Sequence, residues 1–279
     1  MNAGGKLAVY GAALVAVFAT SAGIGAAVAP IGLSNAEPPA EHSGGMDTGD
    51  GLPGLATATD EFTLVGGADT ITAGSPTTYT FSIHDDEGPV VDFDLEQTKR
   101  MHLIVVRRDF TEFVHLHPTM SPDGTWSTLL AVDAAGVYRV YADFMVDGDK
   151  HTLGADMFVP GDFQPRPLPA TSATGDAGDG YQVEMIGDVV AGQESSLEFV
   201  VRHDGEVVAD LRDYLGAKGH LVALRAGDLA YLHVHPEEDR LLFEAEFPTA
   251  SAYRLFIQFD HGGTIRTGEL TIHAQEAQS

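Results

Sequence analysis

Apolar and polar residues alternate along this chain in short runs. In "TYTFSIH" (Thr78 to His84), Tyr79, Phe81 and Ile83 fall two apart with polar residues between them. A period of two puts alternate side chains on one face of a strand. "LIVVR" (Leu103 to Arg107) is apolar at four successive positions, while "TLLAV" (Thr128 to Val132) and "YRVYADF" (Tyr138 to Phe144) are of strand length and rich in β-formers. Turn signals bound these runs at "DDEG" (Asp85 to Gly88), "SPDG" (Ser121 to Gly124) and "DGD" (Asp147 to Asp149). No stretch after the N-terminal segment has the period of an amphipathic helix. The pattern predicts an all-β protein with antiparallel sheets.

The runs fall into two bodies, 59–160 and 181–275, separated by "GDFQPRPLPATSATGDAGDG" (161–180), which reads as an interdomain linker. Each body is the size of one immunoglobulin-like β-sandwich, so two tandem sandwiches are expected. The bodies are also an internal repeat. Phe81, Asp92, His102 and Pro118 recur as Phe199, Asp210, His220 and Pro236 at a constant shift of 118, and ten of these 38 gap-free pairs are identical. Beyond the turn the shift becomes 115, which lays "YRVYADF" from Tyr138 on "YRLFIQF" from Tyr253.

The most informative shared feature is three histidines. His102, His115 and His117 in the first body recur as His220, His233 and His235 in the second. His115 and His117 share one strand face, as do His233 and His235. Centring the second hairpin on a two-residue turn at Gly227 and Asp228 makes paired positions sum to 455, which sets His220 opposite His235. The equivalent register in the first body sums to 219 and sets His102 opposite His117. Either Asp109-Phe110 or a four-residue loop from Arg108 to Thr111 preserves it. Opposed Cβ atoms lie about 4.5 to 5.5 Å apart, within reach of one ion. Three imidazoles with an open position suit copper or zinc, and thioether from Met101, Met120 or Met145 would make the first site the softer one. Asp143, His151 and His261 are weaker candidates for a fourth ligand. His84, His203 and His273 read as surface or strand-end residues.

The N-terminus adds a compartment. No charged residue occurs from Leu7 to Ala36, and Lys6 precedes the run. Residues 1–36 are therefore expected to act as a signal anchor or signal peptide, with the remainder outside the cell membrane or secreted after cleavage. Residues 37–58, rich in Gly and Pro, read as a flexible stalk. With 41 acidic and 15 basic residues the net charge is −26, which opposes nucleic-acid binding and attracts cations. The absence of cysteine excludes disulfides, thiolate metal sites and cysteine nucleophiles.

The order "MHLIVVRRDFTEFVHLHPTMSPDGTW", "GVYRVYADF" and "GHLVALRAGDLAYLHVHP" resembles a group of exported actinobacterial proteins described as secreted or heavy-metal-binding-domain proteins. The resemblance spans most of Thr59 to Ile272 and rests on the "HLHP" and "HVHP" motifs. It implies export and a connection with metal. "LHVHPEED" is also similar to the histidine pair of copper-zinc superoxide dismutases, without their disulfide cysteines. No Ser-His-Asp pattern, phosphate-binding glycine loop or pair of catalytic carboxylates is evident, so an enzyme is not expected. The sequence reads as a metal-handling protein with one three-histidine site per repeat. The alternative is a cell-surface structural or adhesion module without an ion, and no protein partner is identified.

Overall fold

The computed structural model describes residues 52–232, 234–237 and 239–277. The expected anchor, 1–36, lies outside them, and no described helix is long and apolar enough to cross a membrane. The first repeat contributes β1 (Thr63–Gly66), β2 (Thr77–Asp85), β3 (Gly88–Pro89), β4 (His102–Arg107), β5 (Phe113–Leu116), β6 (Thr119–Met120), β7 (Trp126–Leu130), β8 (Gly136–Val146) and β9 (Asp149–Val159). The second contributes β10 (Thr174–Asp176), β11 (Tyr181–Ile186), β12 (Glu194–His203), β13 (Glu206–Val207), β14 (His220–Arg225), β15 (Tyr231–Leu232), β16 (Val234–Pro236), β17 (Leu242–Glu246), β18 (Ala252–His261) and β19 (Thr264–His273).

In the first repeat one sheet runs β1-β2-β7-β6, with β3 on β2, and the other runs β5-β4-β8-β9. Tyr79, Phe81, Ile83 and Trp126 from the first sheet meet Leu103, Val105, Tyr138 and Val140 from the second in one buried core. Sheet packed on sheet is the arrangement that period-two amphipathic strands require. The second repeat encloses an equivalent core around Leu197, Phe199, Phe243, Leu255 and Ile257. There β10 bridges β11 and β19, joining the strands into one continuous order, β15-β14-β18-β19-β10-β11-β12-β17-β16. Tyr138 Oη donates to the Ala134 carbonyl at 2.8 Å and Tyr253 Oη to that of Thr249 at 2.9 Å, so both repeats carry the same tyrosine corner.

The continuous apolar run "LIVVR" has a second destination. Leu103 and Val105 enter the first core, whereas Ile104 and Val106 point the other way into a third buried cluster with Phe110, Tyr141, Val222, Leu224, Leu229, Tyr231 and Phe256. The repeats thus pack through the outer faces of β4–β8 and β14–β18. Phe113 stacks on Phe256 at 4.2 Å, and Tyr231 meets Tyr141 at 5.4 Å. Since 113 + 118 = 231 and 141 + 115 = 256, these are reciprocal contacts, as two equivalent surfaces facing one another produce. Phe113→Ala should cost about 2 kcal/mol, below the ~3–5 kcal/mol of a fully buried phenylalanine because Phe113 is only partly buried. A lowered urea midpoint for the whole unit would register it.

Segments expected to be loose are built into this joint. Residues 52–58 of the expected stalk run over it: Tyr231 N–H donates to the Pro53 carbonyl at 2.9 Å, and Arg139 Nη2 donates to those of Gly54 and Leu55, both at 2.7 Å. Gly54 is at φ +73°, and a Cβ there would meet the Tyr141 ring at 2.6 Å, so only glycine fits. In the expected linker, Phe163 lies against the Arg107 guanidinium, Leu168 packs on the interface cluster and Thr174–Asp176 forms β10.

Candidate metal centre

The hairpin registers set the site. β4 and β5 pair Leu103 with Leu116 and Ile104 with His115, a sum of 219. β14 and β15 pair Ala223 with Leu232, a sum of 455. The second turn nevertheless differs from the two-residue loop expected. Arg225 N–H donates to the Ala230 carbonyl at 2.9 Å and Leu229 N–H to that of Arg225 at 3.0 Å, leaving a four-residue loop, 226–229. The first turn is the equivalent loop 108–111, closed by Arg107 N–H on the Glu112 carbonyl at 3.0 Å. In each loop a bulky residue takes positive φ, Phe110 at 62° and Leu229 at 64°. That conformation is costly for such side chains, and both are buried in the joint, which offsets the strain.

His102, His115 and His117 come together at the end of this buried face. One ring nitrogen from each lies within 4.8 Å of the others. His102 Nδ1 is 3.0 Å from His115 Nε2, and the His117 ring centroid is 5.1 Å from that of His102 and 4.6 Å from that of His115. His220, the repeat equivalent of His102, joins this group from the other side of the joint. Its ring lies parallel to His102 at 5.2 Å, with an interplanar angle of 3°, and is 4.5 Å from His115.

The remaining expected ligands divide between this cluster's border and other parts of the fold. His235 is exposed on β16, where its backbone pairs with Glu244 of β17 and no longer with β14. Its strand changes partner after β15, so the β14–β15 ladder whose register would set His235 opposite His220 ends at Leu232. His233 lies outside the described residues. Met101 and Met120 pack on the first core, so neither supplies the thioether considered for the first site. Asp143 stands opposite His102 in the β4–β8 ladder and lines one small cavity with His102 and His220, where its carboxylate accepts from Thr152 Oγ1 at 2.6 Å and Tyr231 Oη at 3.3 Å. His151 packs on Phe62, and His261 bonds Tyr181 Oη at 2.7 Å and Asp210 at 3.1 Å, both away from the cluster.

Hydrogen bonds on the far side of each ring fix its protons. His102 Nε2 is 3.1 Å from the Glu96 carbonyl oxygen, which can only accept, so Nε2 carries the hydrogen and Nδ1 is a bare lone pair. His115 Nδ1 is 2.6 Å from Gln258 Oε1, whose amide is oriented by Nε2 donating to Thr267 Oγ1 at 3.3 Å. His115 Nε2 is therefore also bare. In neutral rings with these tautomers, the two nitrogens that face each other at 3.0 Å both lack a proton. His220 Nδ1 donates to Gln97 Oε1 at 2.5 Å, leaving its Nε2 unprotonated. His220 Nε2 and His117 Nε2 are buried with no hydrogen-bond partner among the described residues. A buried polar atom so left costs about 1–3 kcal/mol.

Both glutamine acceptors and the Glu96 carbonyl were missed in the sequence. Glu96 and Gln97 belong to a tight turn in which Lys99 N–H donates to the Glu96 carbonyl at 2.9 Å, with Gln97 at φ 44° and Thr98 at φ 69°. Equivalent positive φ values recur at Leu215 (59°) and Gly216 (87°), so the turn belongs to the repeat.

Three of the four rings are pushed towards the neutral form. Burial, then the neighbouring His102, pushes the His115 imidazole down to about 3. Burial, then His102 and Lys99, pushes His117 down to about 4. Burial and the other three rings hold His220 well below the ordinary histidine range. Neutral imidazole is the form that ligates metal.

The profile of a domain of unknown function, DUF8832, matches residues 57–161 and again 175–276. The chain belongs to the DUF8832 family. The two DUF8832 matches begin 118 residues apart (175 − 57) and end 115 apart (276 − 161), the same shifts that relate the histidine hairpins and the following strands. No curated protein matches the sequence. Among solved structures, Salmonella alpha-2-macroglobulin reacted with methylamine is 14% identical with a TM-score of 0.29, covering 81% of this chain and 15% of that one. Invasin, a bacterial integrin-binding protein, is 12% identical with a TM-score of 0.22, covering 77% of this chain and 39% of that one. Domains 4–9 of surface layer protein SbsC are 9% identical at 0.23, covering 78% and 31%. The chain spans well under half the length of each.

Proposed function

We propose that this DUF8832 protein is an extracytoplasmic metal-binding protein that holds one copper or zinc ion at His102, His115 and His117, for sequestration, delivery or sensing. The observation that carries the reading is the pair of bare nitrogens, His102 Nδ1 and His115 Nε2, facing each other at 3.0 Å. Two lone pairs at that distance repel unless a cation stands between them. In a tetrahedral centre with bonds of about 2.0 to 2.1 Å, ligand nitrogens lie roughly 3.3 Å apart, close to this separation. Far-side donation from ring N–H to a carbonyl is the usual support of a metal-ligating histidine. A donor set of imidazole without thiolate suits copper and zinc.

This reading replaces the two sites expected from the sequence with one, because His220 lies against the first repeat's histidines. The charge-free run Leu7 to Ala36 supports export, with that segment as membrane anchor or cleaved signal. The tyrosine corners at Tyr138 and Tyr253 support an immunoglobulin-like form of sandwich. The test is elemental analysis of the untagged full-length chain after separate exposure to Cu(I), Cu(II) and Zn(II) and removal of loose ions. About one tightly held ion per chain is expected for at least one of them. No retained ion under any condition would return the cluster to a purely architectural role.

A further inference from the structure

We infer that the second repeat completes the centre carried by the first, so that ion binding and docking of the two repeats are one coupled equilibrium, with Gln258 as the positioning residue of His115. The inference rests on the metal reading above. Its own support is the exchange of contacts across the joint. Gln258, on β18 of the second repeat, sits opposite His220 in the β14–β18 ladder and reaches across to take the His115 Nδ1 hydrogen at 2.6 Å. In return Gln97 of the first repeat takes the His220 Nδ1 hydrogen at 2.5 Å. The His220 ring then covers His102 and His115. His220 and Gln258 are 5% and 7% exposed, so neither bond is an incidental surface contact.

The consequence for the ligands is specific. Without the second repeat, the His102 Nδ1 lone pair at 3.0 Å would favour a hydrogen on His115 Nε2, the tautomer that presents N–H rather than a lone pair to an ion. Docked, Gln258 selects the lone pair in advance. Outer partners of this kind typically contribute 10- to 100-fold in metal affinity. Linkage then requires that whatever docking adds to ion affinity, the ion adds to docking. The repeats already share an apolar joint, so the ion acts as a clamp on a formed interface.

Chelator competition with Cu(I) or Zn(II) alone on full-length protein, combined with hydrogen exchange, tests this. Gln258→Leu should weaken binding by about 10- to 100-fold, and Gln258→Glu, which keeps an acceptor for Nδ1–H, should restore it. Addition of the ion should slow exchange in β14 of the second repeat as well as in β4 of the first. If Gln258→Leu binds as tightly as the unsubstituted chain while His115→Ala abolishes binding, the metal reading stands and this inference fails. It also fails if Gln258→Glu is as weak as Gln258→Leu, since the loss would then be one of packing, or if protection stays in β4. If the unsubstituted chain retains no ion, both readings fall.

Discussion

Replacing His115 and His117 together by Ala is expected to take the protein from about one retained ion per chain to none. The affinity should fall by more than about a hundredfold, because loss of ligands exceeds the 10- to 100-fold typical of losing an outer partner. Both side chains contribute a ring nitrogen to the cluster, and His115 Nε2 is one of the two bare nitrogens that face each other. His235→Ala should leave retention unchanged, since His235 is exposed on β16 against β17. This contrast separates the two halves of the repeated motif, which the sequence treats alike. Equal losses from both hairpins would mean that each repeat binds its own ion. Retention unaffected by the His115 and His117 pair would remove the site.

Acid should destabilise the ion-free protein in a window set by the same residues. An unfolded histidine titrates near 6.5, whereas folded His115 and His117 titrate at about 3 and about 4. Between these values the unfolded chain binds protons that the folded one refuses, so stability falls as the pH falls. Stability is unaffected by these rings above about pH 6.5 and is lost progressively as the pH falls through about 4 towards about 3. By about pH 4.5 the two together should cost on the order of 3–5 kcal/mol, allowing for solvent screening at the partly exposed His117. Urea unfolding from pH 7.5 to 4.5 measures it, with the His115→Ala, His117→Ala variant as control. A slope no steeper in the unsubstituted chain than in the variant would show that these rings protonate freely in the fold. Bound ion should flatten the dependence at mild acidity, since protons then compete for occupied nitrogens.

Much of this architecture is legible in the chain. The period-two runs predict the strands, and the shift of 118 predicts two equivalent bodies. The pairing sums of 219 and 455 describe the hairpins because turn and ladder must share one register. The contact between the repeats is also encoded, though less openly. "LIVVR" is apolar on both faces, and a strand at the surface of an isolated sandwich would alternate. The face carrying Ile104 and Val106 therefore requires a cover, which the second repeat provides.

The centre itself is harder to read. His102 and His220 are equivalent by repeat, but two equivalent surfaces that face each other bring equivalent residues to one place. A search for ligands within each repeat divides what the joint unites. The ladder that would hold His235 opposite His220 ends early because its strand passes from β14 to β17, a change of partner with no period of its own in the sequence. Gln258 was invisible for a different reason. The repeat shift of 115 places it on Asp143, so the comparison that reveals the histidines gives two unlike residues there, and only the geometry shows which one reaches across.

The most direct test is the protonation of the facing nitrogens, read by long-range proton–nitrogen NMR of the histidine rings near pH 7, before and after addition of one equivalent of Zn(II) or Cu(I). The expected result is N–H at His102 Nε2 and His115 Nδ1, bare nitrogen at His102 Nδ1 and His115 Nε2, and movement of these two resonances and of His117 when the ion enters. A proton resident on either facing nitrogen, with no ring resonance moving on addition of the ion, would contradict it.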